Sequence, residues 1–161
     1  MSEVSGDIKL SCLSNEHGVR ALLGRVMLLL PEWGIGPDDA MTIEMVLAET
    51  LNNIAEHAFP TQDDAFISIH LQVCNQQINV TLQDGGAAMP DMVAPAGTLP
   101  DIDVAREDLP EGGFGWFLIK SKTDDLKYEH SKTGNHLSYA IRLSHPAQPL
   151  REGCCGIANG K

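Results

Sequence analysis

Two stretches of the chain repeat apolar residues at three- and four-residue steps, the spacing that places them on one face of a helix. The first stretch covers residues 15–30. The second begins near Asp38 or Asp39, both suitable N-caps, and runs to about Ala58, just before Pro60. The sequence therefore predicts two amphipathic helices, each with one buried face.

Alternation of apolar and polar residues marks the strands. Residues 67–73 and 78–82 alternate in this way, and the short connection between them predicts an antiparallel hairpin. A looser alternation at residues 8–13 predicts a first strand.

Periodicity is lost between residues 85 and 113, where proline and glycine are frequent. A loop of this length is usually a functional lid or a mobile segment. Beyond it we expect a third helix at residues 114–123, followed by a final hairpin that turns at Gly134 and Asn135.

These elements predict an α+β domain with the architecture of a two-layer α/β sandwich. A mixed, mostly antiparallel sheet would carry the helices on one face. We expect this domain to occupy residues 1–145 and the Pro- and Gly-rich tail at 146–161 to be disordered.

Composition narrows the choice of function. With 161 residues the chain suits one domain, and its formal net charge of -11 disfavours binding to nucleic acid or to an anionic membrane. The four cysteines form no CxxC pair, so neither zinc nor a disulfide framework is expected. The first residues do not form a signal peptide, and we expect a cytoplasmic protein.

Three segments carry candidate chemistry, and the first lies within the second helix. Glu49, Asn53 and His57 are spaced one turn apart and form a row at the edge of the apolar stripe. An asparagine oxygen can bind magnesium, and a carboxylate can accept a proton from a nucleophile. Alone, such a row is more often an ordinary exposed helix edge, and His57 is given no catalytic role.

The second segment is Asp84-Gly85-Gly86, at the end of a strand. A carboxylate there can accept a hydrogen bond from a purine amino group, while glycine lets the backbone approach a flat base. Taken alone, the segment is better explained as a plain Asp-Gly turn.

The third segment is Gly112-Gly113-Phe114-Gly115, directly before the third helix. Glycines at a helix start expose backbone amides that can bind phosphate without lysine or arginine. The segment lacks the Lys-Ser or Lys-Thr pair of a Walker motif, and a hinge before a helix is an alternative explanation.

Together, the run from Leu47 to Phe59, Asp84-x-Gly86 and Gly113-x-Gly115 resemble the N, G1 and G2 boxes of the GHKL ATPases. The Glu-x-x-x-Asn-x-x-x-His form of the first box is most similar to anti-sigma-factor serine kinases of the RsbW and SpoIIAB type. The resemblance covers roughly residues 8–143, and three boxes in order are much more specific than any one of them.

The resemblance implies ATP and Mg²⁺ as cofactors and assigns a role to each matching residue. Glu49 would be the general base, and Asn53 would hold magnesium against the phosphates. The remaining expected ATP-binding residues are Asp84, Gly86, Gly113, Phe114, Gly115 and Ser138, the last near adenine.

The activity that the resemblance implies is that of a serine/threonine-protein kinase that also acts as an anti-sigma factor. Its partners would be a sigma factor and a STAS-type anti-anti-sigma protein, which it would phosphorylate. A homodimer is a further possibility by the same analogy. Two alternatives stay open: an ATP-dependent binding switch without phosphoryl transfer, and a detached histidine-kinase catalytic domain.

Overall fold

The computed structural model describes residues 4–59, 65–97 and 114–147 of the chain. Residues 98–113 of the expected loop, including Gly112 and Gly113, lie outside the described residues. The expected tail also lies outside them from residue 148 onwards.

The described residues form five strands, three α-helices and one short 3-10 turn at Pro90–Met92. The strands are β1 (Val4–Leu13), β2 (Phe66–Cys74), β3 (Gln77–Asp84), β4 (Asp124–Ser131) and β5 (Gly134–Arg142). The helices are α1 (Glu16–Leu29), α2 (Pro37–Ala58) and α3 (Phe114–Lys122).

The strands form one sheet in the order β1-β2-β3-β5-β4. Its inner face carries the alternate apolar residues, which are buried against the helices, and its outer face is mainly polar. This is the predicted α+β sandwich, although all four described strand pairings are antiparallel rather than mixed.

The start of α2 differs from the prediction. Gly36 is the N-cap and Pro37 opens the helix, because proline has no N–H to leave unpaired in the first turn. The carboxylate of Asp39 instead accepts hydrogen bonds from the backbone N–H and the hydroxyl of Ser144. Asp39 therefore connects the first turn of α2 to the chain just beyond β5.

The turn of the final hairpin also differs from the prediction. Gly134 and Asn135 belong to β5, and the turn lies at residues 132–133. Gly134 adopts a positive φ of 116°, and a Cβ atom there would lie 2.1 Å from the carbonyl oxygen of Asp84. Glycine therefore allows β5 to begin directly against the end of β3, and Asn135 follows as an inward-facing residue.

A buried hydrogen bond connects α2 to the sheet. The hydroxyls of Thr50 and Tyr139 lie 2.9 Å apart. Because the Thr50 hydroxyl already donates to the carbonyl of Val46, Tyr139 is the donor to Thr50. Thr50 follows Glu49 in sequence, so this bond also sets the position of the helix turn that carries Glu49.

No helix in the described ranges is both long enough and apolar enough to cross a membrane.

We expect the Tyr139→Phe variant to lose about 1 kcal/mol of unfolding free energy at neutral pH, since one buried hydrogen bond is removed. Burial raises the pKa of Tyr139 above its usual value, and the hydrogen bond to Thr50 only partly opposes this rise. As the pH rises above about 10, Tyr139 would therefore ionise in the unfolded state before it does in the folded state. The wild type would lose about 1.4 kcal/mol of unfolding free energy by about pH 11.

The variant lacks this ionisable group, so the stability difference between the two proteins should shrink or reverse as the pH rises. Urea unfolding of both proteins at a series of pH values measures this difference. A difference that stays constant across the series would contradict the expected role of the buried phenol.

Candidate functional site

A cavity of about 510 Å³ lies between α2, the end of β3 and the inner face of β4 and β5. Much of its wall is apolar and includes the side chain of Trp116, which is only 8% exposed. Polar side chains lie at a few points of this wall: Asn53, His57, Asp84, Tyr128 and Asn135. An apolar cleft with a few convergent polar groups is typical of a small-molecule site.

The first turn of α3 lies against the polar row on α2. A Cβ atom on Gly115 would come within 2.5 Å of the Oε2 atom of Glu49 and 3.7 Å of the Nδ2 atom of Asn53. Only glycine lets the two helices approach this closely without moving the carboxylate. Glu49, Asn53 and Gly115, which are far apart in sequence, are therefore brought together.

The amide of Asn53 has an unusual environment. Its Nδ2 atom is buried and has no hydrogen-bond partner among the described residues, although Asn53 lines the cavity. Buried polar atoms in folded proteins nearly always have a partner, so an orphaned one calls for a ligand, an ion or water. The orientation of such an amide is set by its partners, and either end can face a ligand.

Asp84 also lines the cavity and is 6% exposed. Its Oδ1 atom accepts hydrogen bonds from the backbone N–H of Gly86 at 2.9 Å and from the Nδ2 atom of Asn135 at 2.8 Å. Asn135 faces Asp84 directly across the β3–β5 pairing. Sequence reasoning missed Asn135 because it assigned this residue to the turn.

Gly86 approaches the end of α2 closely. A Cβ atom there would lie 2.5 Å from the carbonyl oxygen of Ala58 and 2.6 Å from its Cβ atom, whereas at Gly85 it would meet nothing within 4 Å. The backbone N–H of Ala87 donates to the same Ala58 carbonyl at 3.0 Å. Glycine at position 86 is therefore needed to attach the segment after β3 to α2.

Among the expected site residues, Asn53 and Asp84 line the cavity itself. Glu49 and Gly115 lie beside Asn53, and the backbone N–H of Gly86 donates to Asp84.

The other three expected residues lie elsewhere or outside the described residues. Ser138 lies opposite Thr81 and Lys127, on the outer face of the sheet, and points away from the inward-facing Asn135. Phe114 begins α3 and is 49% exposed. Gly113 lies outside the described residues.

The sequence matches the model of one protein family, described as the histidine kinase-like ATPase domain, over residues 14–141. The chain belongs to this family. The match spans α1 to β5, including the helix, the strand end and the glycine-opened helix that meet around the cavity. The resemblance drawn from the three boxes is therefore confirmed at the level of the family.

Curated relatives of this histidine kinase-like ATPase domain share modest identity with it. They include a serine-protein kinase RsbW from Halalkalibacterium halodurans, 35% identical over 92 residues, and an anti-sigma F factor from Clostridium botulinum, 21% identical over 95 residues. The matched segments cover 56% and 59% of this chain, and 55% and 64% of those relatives. The chain thus spans less than two thirds of their length.

A solved structure with a similar fold contains the RsbU and RsbW domains of Rv1364c from Mycobacterium tuberculosis. Its TM-score is 0.59 at 14% identity, and the match covers 91% of this chain and 35% of that one. This likeness supports the fold alone.

We expect Gly86→Ala to lower the unfolding free energy by about 1–3 kcal/mol, because the added methyl group meets the backbone of Ala58 rather than a movable side chain. The matched control is Gly85→Ala, which adds the same group into open space and should stay within about 0.5 kcal/mol of the wild type. Chemical denaturation measures both. Equal stability of the two variants would show that the close approach is not needed.

Proposed function

We propose that this chain binds ATP with Mg²⁺ in the cavity and transfers the γ-phosphoryl group to a serine or threonine of a protein partner. The observation that carries the proposal is the meeting of Glu49 and Gly115 beside Asn53, which lines an apolar cavity that Asp84 lines as well. A polar end for phosphates and an apolar end for a base match the two halves of a nucleotide.

The base is assigned to the end that contains Asp84. Trp116, Ile54, Met89 and Pro90 offer apolar surface for a flat ring, and a carboxylate among them is an acceptor for an exocyclic amino group. Such a buried carboxylate favours adenine, whose 6-amino group donates, over a base that presents a carbonyl at that position.

The phosphates are assigned to the end where α3 begins. The first N–H groups of a helix are unpaired within the helix, and the helix dipole adds positive potential there. Gly115 keeps this turn close to α2 and free of a side chain. The unpaired Nδ2 atom of Asn53 is a donor suited to a phosphate oxygen, and the carboxamide oxygen of the same side chain would be a neutral ligand for Mg²⁺. Bound Mg²⁺ would neutralise charge on the phosphates.

In the transfer step, the hydroxyl oxygen of the partner attacks the γ-phosphorus and the bond to the bridging oxygen of ADP breaks. Glu49 accepts the hydroxyl proton. Its carboxylate lies beside Gly115 and one helix turn from Asn53, so it would be close to phosphates held by these residues. The rest of the rate enhancement would come from holding the hydroxyl and the γ-phosphate in line.

The partner assignment rests on the names of the relatives. They are named either anti-sigma F factor or serine-protein kinase RsbW, and we propose both roles for this chain. It would bind a sigma factor and phosphorylate a protein antagonist; that this antagonist has a STAS domain is what the resemblance of the three boxes implies. We further propose a cytoplasmic location, where ATP is available, and a homodimer with β1 and α1 as the candidate surface.

We expect Asn53→Ala to lower the affinity for ATP in the presence of Mg²⁺ by about tenfold or more, because the variant removes a metal ligand. Isothermal titration with and without Mg²⁺ measures the effect, which should disappear when Mg²⁺ is omitted. The control is Asn52→Ala, which removes the same group from an exposed neighbouring position on α2 and should bind as the wild type does. Equal, metal-dependent binding by both variants would exclude the assigned metal site.

We expect Glu49→Gln to reduce phosphoryl transfer by about 10²- to 10⁴-fold while ATP still binds, since the amide cannot accept the proton. Transfer from γ-labelled ATP to each STAS-domain protein of the same organism measures it. Glu56→Gln, at an exposed position on the same helix, is the control and should retain full activity.

If Glu49→Gln transferred phosphate as fast as the wild type, Glu49 would not be the base. If the wild type bound ATP, changed its affinity for a partner and yet transferred nothing, the chain would be an ATP-dependent switch without kinase activity.

A further inference from the structure

The side-chain amide of Asn135 is the most connected polar group of the cavity wall. Asn135 is 4% exposed and lies on the inner face of β5. The two hydrogens on its Nδ2 atom are shared among three acceptor oxygens, and its Oδ1 atom accepts from two side chains. The partners are Asp84 Oδ1, Gly86 O and Ala87 O for Nδ2, and Tyr128 OH and His130 Nδ1 for Oδ1.

This set of partners fixes the orientation of the amide. Three acceptors surround one end, and a rotated amide would set its oxygen against all three at 2.8–3.3 Å. The same reasoning assigns the proton on His130 to Nδ1, which lies 2.8 Å from the Asn135 Oδ1 atom. Asn135 therefore has one allowed arrangement.

That arrangement restricts Asp84. Within the described residues, both hydrogen bonds to its carboxylate end on Oδ1, one from Asn135 and one from the N–H of Gly86. Two donors on one oxygen hold the carboxylate in a single rotamer and leave Oδ2 as the oxygen available to a ligand. Because Asp84 lines the cavity, that ligand would be the occupant of the cavity.

The same amide also holds the chain that leaves β3. It binds the carbonyls of Gly86 and Ala87, while the hydroxyl of Tyr128 accepts from the N–H of Met89 at 2.8 Å and donates to Asn135 at 2.6 Å. Ala87 and Met89 belong to the cavity wall. Asn135 thus fixes both the orientation of the Asp84 carboxylate and the position of the backbone at Gly86 and Ala87.

We propose that Asn135 is a positioning residue that orients Asp84 for the 6-amino group of adenine, and thereby sets the preference for a 6-aminopurine. The proposal rests on the proposed ATP-binding function. A purely structural role predicts a loss of binding that does not depend on the base. A positioning role predicts a loss that depends on the amino group.

The test compares ATP with purine riboside triphosphate, which lacks the 6-amino group, in titrations with Mg²⁺. We expect the wild type to bind ATP about tenfold or more tightly than the analogue, as expected when a buried acceptor is left unpaired. In Asn135→Leu this preference should fall to within about twofold, because Asp84 is no longer held for the amino group that only ATP carries.

One further variant keeps the test decisive if Asn135→Leu does not fold, and a second is the matched control. Asn135→Ser retains a hydroxyl donor near Asp84 and should show an intermediate preference for ATP. Asn79→Leu makes the same exchange in β3 on the outer face of the sheet and should keep the wild-type preference. Thermal unfolding of every variant identifies those that fold.

The outcomes separate this proposal from the proposed function. If the wild type bound neither nucleotide, the proposed function itself would fail, and this proposal with it. If the wild type bound both equally, or if the leucine or the serine variant kept the full preference, Asn135 would not set base selection although ATP binding would stand. An equal loss of both nucleotides in the leucine variant would likewise overturn the proposal.

Discussion

A hydrogen bond between two buried polar side chains, Asp84 and Asn135, controls how the cavity of this protein is built. Removing a carboxylate and a carboxamide from water is costly unless both find partners. The pairing of β3 with β5 places them opposite each other on the inner face of the sheet, and Gly134 lets the two strand ends approach. The network that satisfies these groups also holds the chain after β3, so one set of bonds shapes the part of the cavity wall around Asp84.

Helix α2 contributes to both the core and the site, because its polar row lies directly beside its buried apolar face. Ile43, Leu47 and Leu51 are fully buried in the core. The row of Glu49 and Asn53 runs along the margin of this stripe, where side chains are partly withdrawn from solvent and can face a ligand. The bond between Thr50 and Tyr139 fixes the helix against β5, so the rigid core determines where the polar row lies.

The acidity of the chain is compatible with an anionic ligand because the candidate phosphate end does not depend on cationic side chains. Among the described residues, those that line the cavity include no lysine or arginine. Backbone N–H groups at the start of α3, the amide of Asn53 and a divalent cation would supply the attraction instead. The formal charge of -11 therefore argues against polyanions such as nucleic acid without arguing against a nucleotide–metal complex.

The sequence by itself determined the main elements and pointed to α2, the end of β3 and α3, which all contribute to the cavity wall. Periodicity is a local property. In a helix of 22 residues or a strand with strict alternation, the apolar pattern repeats often enough to identify the element from the sequence. The sequence did not determine which residues of the last hairpin face inward. A shift of one position reverses every side chain of a strand, and the Gly-Asn pair resembled a turn. Only the pairing of β5 with β3 decided that Asn135 faces Asp84 and Ser138 faces away, because that pairing joins residues 51 positions apart.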